Sequence, residues 1–271
     1  MPHLTRTGGR LSATEEGRLG IGVPGYAHPL LAPVEWAELT RPGTLLHWAV
    51  LNVADGPGDR PDPHCLAAAG RLTNAGSRVL GHLDLAYGAR PAGELVSEAR
   101  RFSDWYRVDG FFLDRCPTGR ADLPATRRTA AALGAVLDGG FLVLGHGVHP
   151  CPGYAEVADQ LVTFRGAWAD YRWSQAAEWT ADHPPERFAH LVHGVPRGHL
   201  EEAMRIARWQ GAGTIFFTDR TDRADCTDPT DRTDRADRAD EVAPRARNGS
   251  FETLPGFWDE IVSRVGPGVS E

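Results

Sequence analysis

The chain has 271 residues, of which 41% are hydrophobic, and a formal net charge of −7. This length fits one large α/β domain or two smaller ones. The acidic balance disfavours a nucleic-acid partner, and the absence of an apolar run of roughly 20 residues disfavours a membrane partner. All 29 basic residues are arginine, which excludes enzymes that depend on a lysine amine, including Schiff-base enzymes, pyridoxal-phosphate enzymes and P-loop nucleotidases. We expect no cofactor.

From residue 18 onward, short apolar runs alternate with stretches of helical character. The predicted strands are, in chain order, 18–25, 44–53, 78–85, 110–114, 141–147, 160–166, 188–195 and 213–219. The predicted helices are 33–39, 64–75, 92–106, 122–137, 154–158, 168–179, 200–210 and 255–265. Eight strand-then-helix units predict a single α/β domain over residues 18–265, a (β/α)8 TIM barrel rather than an open doubly wound sheet.

Three segments fall outside this alternation. Residues 1–17 are predicted to form a flexible arm, and residues 266–271 a tail. From 219 to 240 an aspartate occupies every third position, and residues 219–241 carry 9 acids and 5 arginines. A period of three suits neither a helix nor a strand, so residues 220–247 are predicted to be a disordered acidic insertion after the eighth strand. The interleaved arginines disfavour the calcium site that the aspartate spacing also suggests.

The cysteines and the N-terminus bear on the cellular compartment. Cys65, Cys116, Cys151 and Cys226 form no CxxC pair, so free thiols are expected. A Cys116–Cys151 disulfide would require their loops to meet. The first 20 residues contain no apolar signal core, which predicts a cytoplasmic protein, or a secreted one if the N-terminus was processed or altered. A monomer is expected.

Most candidate functional residues lie at the C-terminal ends of the predicted strands. In a (β/α)8 barrel the active site lies where the C-terminal ends of the strands meet. Those positions read Tyr26, Asn52, Asp84, Asp114, His146, Arg165, His193 and Asp219. Asp114 is the foremost candidate because a short apolar strand delivers it. Two carboxylates suit glycoside hydrolysis, about 5 Å apart for retention and about 6.5–9.5 Å for inversion.

Aromatic residues could extend such a site. Tyr87 and Trp168 are candidate sugar-stacking platforms, as are Trp48, Trp105 and Trp173. For any single tryptophan, packing between helices and sheet is the more frequent role.

Three other kinds of site have weaker support in the sequence. A metal site could use His82, Asp84, His146, His193 and Asp219, as metal-dependent amidohydrolases do, but the pair of histidines typical of those enzymes is missing. A serine hydrolase is disfavoured because no GxSxG motif occurs. The formal GxGxxG at 20–25 is followed by YAHP instead of a helix, so its glycines and proline are predicted to shape a turn.

Several segments together resemble one protein family. They are VPGYAHP, LNVADGPG, AGSRVLGHLDLAYGARP, WYRVDGFFLDR, PGYAEVADQLVTFRGAW and LPGFWDE. This set resembles the spherulation-specific family 4 (spherulin-4) proteins from about residue 22 to residue 258. The resemblance implies a (β/α)8 glycoside hydrolase acting on galactosamine-containing polysaccharide, an α-1,4-linked polymer of galactose and N-acetylgalactosamine. It also implies a catalytic carboxylate at Asp114.

Two positions depart from the family pattern. Arg115 replaces a glutamate of the fungal hydrolases, and Arg165 replaces the glutamate of a Phe-Glu-Gly motif. An arginine cannot transfer a proton at neutral pH. Asp84 or Asp219 could take the second catalytic role, Arg165 could bind an anionic sugar, or the protein could be a non-catalytic carbohydrate binder on an enzyme fold. We therefore expect Asp114 and Asp84 to be catalytic and Tyr26, Asn52, Tyr87, Arg115, His146, Arg165, Trp168, His193 and Asp219 to bind polysaccharide.

Overall fold

Eight parallel strands close into one barrel in the computed structural model, which describes residues 19–221 and 249–265. The strands are β1 Gly20–Val23, β2 Leu46–Leu51, β3 Arg78–Asp84, β4 Gly110–Asp114, β5 Phe141–Gly145, β6 Gln160–Ala167, β7 Phe188–His193 and β8 Thr214–Phe217. Each strand pairs with the next, and β8 closes on β1 through Gly20 opposite Thr214. The predicted (β/α)8 barrel is confirmed.

Helices cover the outside of the barrel. In the described ranges they are α1 Pro33–Glu38, α2 Pro63–Asn74, α3 Ala92–Tyr106, α4 Leu123–Gly134, α5 Trp168–Tyr171, α6 Leu200–Trp209 and α7 Trp258–Val265. In α3, the buried residues Leu95, Ala99, Phe102 and Tyr106 recur every three or four positions, so one face packs on the sheet. None of these helices is long and apolar enough to cross a membrane.

Two predicted helices differ from the structure. The segment 168–179 is helical only as far as Tyr171, because Ser174 Oγ donates to the Tyr171 carbonyl at 2.7 Å and Gln210 Nε2 donates to the Ser174 carbonyl at 3.0 Å. These bonds compete with the continuation of the helix. The predicted helix 154–158 is instead a 3₁₀ turn, Pro152–Glu156. The arm at 1–17, the tail at 266–271 and most of the insertion at 220–247 lie outside the described residues.

Two glycines that were predicted to shape a turn are instead required by packing inside the barrel. A Cβ atom on Gly22 would lie 2.4 Å from the Trp48 ring, and one on Gly20 would lie 2.0 Å from the His47 ring. Both glycines therefore lie within β1 and make room for the side chains of β2. Only Gly25, with φ +140°, serves the turn that follows.

Candidate functional site

The C-terminal ends of the strands open into a groove made of two cavities that share Asp114 and Arg165. The acidic half, about 480 Å³, also contains Asp55 and Glu252. The arginine half, about 550 Å³, is lined beyond the shared pair by residues that include Tyr87, Arg115 and His146. The site that the sequence places at the strand ends is thus a pair of polar cavities that meet at Asp114 and Arg165, and we call the pair the groove.

Asp114, the last residue of β4, lies at the centre of the groove. Its Oδ1 accepts hydrogen bonds from Arg165 Nη1 at 2.9 Å and from the Arg115 backbone N–H at 2.9 Å. Its Oδ2 lies 3.4 Å from His82 Nε2. His82 lies on the neighbouring strand β3, two residues before Asp84, which pairs in register with Asp114. The two strands therefore deliver a histidine and two carboxylates to one edge.

Arg165 reaches Asp114 from β6, two strands away in the barrel. The register between β6 and β7 shifts between Val162 and Phe164, as at a β-bulge. Bulges re-aim side chains beside active sites. The backbone N–H of Arg165 then donates to the Gly147 carbonyl at 2.9 Å, which ties β6 to the loop after β5.

Asp84 has an arginine partner of its own. Arg115 Nε donates to Asp84 Oδ1 at 2.8 Å, and Arg115 Nη2 donates to Asp84 Oδ2. This is a bidentate guanidinium–carboxylate pair. Both carboxylates predicted to be catalytic are therefore bound by the two arginines that depart from the family pattern.

These contacts keep both carboxyl groups ionised. Burial acts to raise the pKa of Asp114, but the hydrogen bond with His82, the charge of Arg165 and the Arg115 N–H hold it well below its ordinary range. Burial also acts to raise the pKa of Asp84, and the hydrogen bonds from Arg115 again lower it overall. At neutral pH both groups are hydrogen-bond acceptors without a proton to give.

His146 follows β5 and faces the arginine half. The residue is 9% exposed, and its ring makes weak hydrogen-bond contacts with the Pro117 and Cys116 carbonyls. Burial lowers the pKa of His146 to about 4, against a weaker opposing effect of the Pro117 and Cys116 carbonyls. The ring is therefore neutral at pH 7, with one nitrogen that can donate and one that can accept.

Two further candidates line the acidic half. Tyr26 is buried, its ring packs edge-on against Trp36 and Phe216, and its hydroxyl has no hydrogen-bond partner within the described ranges. Asn52 uses Oδ1 to accept from the Gly56 N–H at 3.0 Å, which shapes the loop after β2.

Three other candidates line neither cavity. Trp168 is 6% exposed and packs against Tyr171 and His199 as α5 begins. His193 is buried, with its ring edge-on to Phe251. Asp219 accepts from the Gly256 N–H at 2.9 Å, so it joins the end of β8 to the segment before α7.

The site also contains residues that the sequence did not indicate. Asp55 and Glu252 both line the acidic half with Asp114. Asp55 lies in a turn-rich loop, and Glu252 follows the Asp-rich segment, so neither belongs to a strand end that periodicity could identify. The backbone carbonyl of Glu252 accepts from the Ala27 N–H at 3.0 Å, which brings this distant segment to the groove.

The residues considered for a metal site remain dispersed. Asp84 binds Arg115, and Asp219 binds the Gly256 backbone. Over residues 19–221 and 249–265, the one group of three potential ligands with atoms within 4.8 Å of one another is His28, Asp62 and Cys65. Asp62 caps the N-terminus of α2 there. The three cysteines in the described ranges are free thiols, as predicted.

Comparison with known proteins decides the family. The sequence model of spherulation-specific family 4 matches residues 20–232. The chain belongs to spherulation-specific family 4. The resemblance drawn from the sequence is thereby confirmed, and the family's match spans the barrel from β1 to β8.

Two relatives illustrate the similarity. Spherulin-4 of Physarum polycephalum is 21% identical over 220 residues, which cover 77% of this chain and 66% of the relative. This chain thus spans just under two thirds of the length of that relative. The crystal structure of Aspergillus clavatus Sph3 in complex with GalNAc matches with a TM-score of 0.70 at 22% identity, covering 92% of this chain and 97% of Sph3. This likeness shows the shared barrel fold.

Proposed function

We propose that this protein binds an amino-sugar-containing polysaccharide in its groove and does not cleave it by the two-carboxylate route. The observation that carries the proposal is the ion pair between Arg165 and Asp114, with 2.9 Å between Nη1 and Oδ1. In the family pattern a glutamate takes the position of Arg165. The cation thus replaces the second carboxylate and binds the first.

The chemistry of glycoside hydrolysis explains why this matters. Both the retaining and the inverting route need a carboxylic acid that protonates the departing oxygen. Asp114 and Asp84 both have lowered pKa values, so neither holds a proton at neutral pH. Arg115 and Arg165 stay protonated at neutral pH and cannot give up that proton. The four residues form two stable ion pairs and contain no proton donor for the glycosidic oxygen.

The groove is nevertheless suited to a sugar. Carboxylate oxygens, guanidinium groups and a neutral imidazole supply the hydrogen-bonding groups that hydroxyls and amides require. Tyr87 at the rim is 66% exposed and offers an aromatic face for a pyranose ring. Because Sph3 was crystallised with GalNAc, we propose a polysaccharide that contains N-acetylgalactosamine or galactosamine.

A second candidate function is hydrolysis by a rearranged acid pair. Glu252 lines the same cavity as Asp114, and it could supply the proton that the Arg165 position no longer provides. In this mechanism the ionised Asp114 would be the nucleophile or base, and Glu252 would be the acid. The Glu252→Gln variant separates this route from simple binding.

The test combines calorimetry with a cleavage assay on α-1,4-linked oligomers of galactosamine and N-acetylgalactosamine. We expect the wild type to bind them without releasing new reducing ends. Asp114→Asn should weaken binding about tenfold, or about 1.4 kcal/mol, through loss of a charged acceptor. Arg165→Glu should introduce slow cleavage because it restores the missing carboxylate. Arg165→Gln removes the charge without adding an acid and is the matched control.

Two outcomes would contradict the proposal. Cleavage by the wild type that disappears in both Asp114→Asn and Glu252→Gln would establish the second candidate in its place. Absence of binding to every oligomer, in a protein whose unfolding transition is intact, would remove saccharide recognition altogether.

A further inference from the structure

We infer that the arginine half of the groove is a subsite for an acidic sugar, a hexuronate whose carboxylate is bound by Arg165 and Arg115. The inference rests on the proposed saccharide-binding function and specifies the chemical class of one sugar residue in the ligand. It is carried by unused arginine hydrogen-bond donors, an exposed aromatic ring and a strained loop, all around one cavity.

The donors in this half exceed the acceptors that the protein supplies. Asp84 already accepts from the Arg115 side chain and the Ala86 N–H, and Asp114 Oδ1 accepts from two N–H groups. Arg165, by contrast, donates through a single Nη1, and within residues 19–221 and 249–265 its Nε and other Nη have no acceptor. Nε and an adjacent Nη form the edge of a guanidinium that binds a planar carboxylate through two parallel hydrogen bonds.

The rim of this half is held in an unfavourable backbone conformation. Ala86, Tyr87 and Arg115 have φ values of +46°, +58° and +49°, in the left-handed region that favours glycine. The Tyr87 N–H donates to the Arg115 carbonyl at 2.7 Å, so the two strained loops support each other. Such strain persists mainly where it positions functional groups. Here it holds the exposed Tyr87 ring 5.7 Å from the Arg115 guanidinium, at the mouth of the cavity.

A uronate carboxylate fits this geometry. It is attached at C5, between the ring oxygen and the C4 hydroxyl, and it can accept two parallel hydrogen bonds from the free edge of Arg165. The sugar face can then stack on the exposed Tyr87 ring. The chain carries a net charge of −7, which opposes the approach of a polyanion, so the preference is local and moderate.

Calorimetric titration of the full chain with two matched tetrasaccharides tests the inference. One is a hexuronate–N-acetylhexosamine tetrasaccharide, and the other is the same compound with its carboxyl groups reduced to alcohols. We expect the acidic form to bind about tenfold more tightly. Arg165→Gln should abolish the difference between the two, and Arg115→Gln should reduce it. Arg127→Gln is the matched control, because Arg127 is an exposed arginine in an ion pair with Glu156 outside the groove.

The outcomes separate this inference from the proposed function. Equal affinity of the wild type for both tetrasaccharides would overturn the acidic subsite and leave saccharide binding intact. A preference for the acidic form that survives in Arg165→Gln would also overturn it. If a sulfated tetrasaccharide bound more tightly than the uronate, the group recognised by this subsite would be a sulfate ester and not a carboxylate. If neither tetrasaccharide nor any neutral oligomer binds, both proposals fail together.

Discussion

The inside of the barrel and the groove above it satisfy their buried polar groups in opposite ways. Inside, Trp48 Nε1 donates to Gln160 Oε1 at 2.7 Å, and Gln160 Nε2 donates to Thr214 Oγ1 at 2.9 Å and to the Glu186 carbonyl at 2.8 Å. His190 has a hydroxyl beside each ring nitrogen, Tyr171 at 2.9 Å and Thr163 at 3.2 Å. The interior thus pairs its buried polar side chains with one another.

The groove leaves several buried polar atoms without such partners. They include Nδ1 of His82 and the hydroxyl of Tyr26 within the described residues. An unpaired buried polar group costs about 1–3 kcal/mol. The difference teaches that buried polar residues stabilise the barrel interior where they are paired with one another, whereas those that line the groove contribute less to stability.

The largest expected effect is a loss of stability on acidification. The histidines and the groove carboxylates lose their contributions to stability over different pH ranges, so the two kinds of group can be compared. His146 and His190 are buried and His47 is half-buried, and the pKa values of His47, His146 and His190 fall from the ordinary 6.5 to about 4, about 4 and about 3. Between pH 6.5 and 4 the unfolded chain binds protons that the folded chain does not, so stability falls as the pH falls. At pH 5 each histidine should cost about 2 kcal/mol relative to pH 7.5.

The groove carboxylates titrate in a different window. The pKa values of Asp114 and Asp84 are lowered, so their contribution is present above the ordinary carboxyl range and is lost only at lower pH. Urea unfolding at pH 7.5, 6, 5 and 4.5 measures the histidine contribution before these groups respond. A free energy of unfolding that stays constant from pH 7.5 to 5 would show that the three rings take up protons in the folded protein at the same pH as in the unfolded chain, which would contradict the lowered pKa values.

Truncation of the interior is the next largest effect. Trp48→Ala should lower the free energy of unfolding by about 3–5 kcal/mol, because it opens a cavity in the barrel and leaves Gln160 Oε1 without its donor. The matched control is Trp173→Ala, since the Trp173 side chain is 76% exposed and its loss should change stability by about 0.5 kcal/mol or less. Equal effects of the two substitutions would contradict the packing described for the interior.

The smallest expected effect on stability compares a histidine inside the barrel, His190, with a histidine of the groove, His146. His190→Phe should destabilise the protein by about 1–3 kcal/mol, because Tyr171 and Thr163 lose their imidazole partner. His146→Phe removes only weak contacts of the ring with the Pro117 and Cys116 carbonyls and should change stability by less than about 1 kcal/mol in either direction. The same variant should weaken saccharide binding, which calorimetry can measure. A larger loss of stability for His146→Phe than for His190→Phe would reverse the comparison.

Local sequence patterns were sufficient for the fold and for part of the groove. The alternation of apolar runs with helical stretches determined the eight-stranded barrel, since each unit is encoded within its own segment. The apolar run 110–113 likewise determined that Asp114 stands at a strand end. Arg115 and Arg165 could be recognised as departures because both lie in motifs whose family pattern is acidic.

Only the tertiary structure decided which partner each of these residues has. Arg165 pairs with Asp114 across 51 positions, and Arg115 pairs with Asp84 across 31, so both contacts depend on barrel closure and strand register. The bulge in β6 and the arrival of Glu252 at the groove have no periodic signal. Periodicity is a property of neighbours along the chain, whereas ion pairs, cavities and unpaired nitrogens arise from segments that meet only after folding. The sequence determined the barrel and the position of Asp114, and the fold decided that this carboxylate is bound by an arginine.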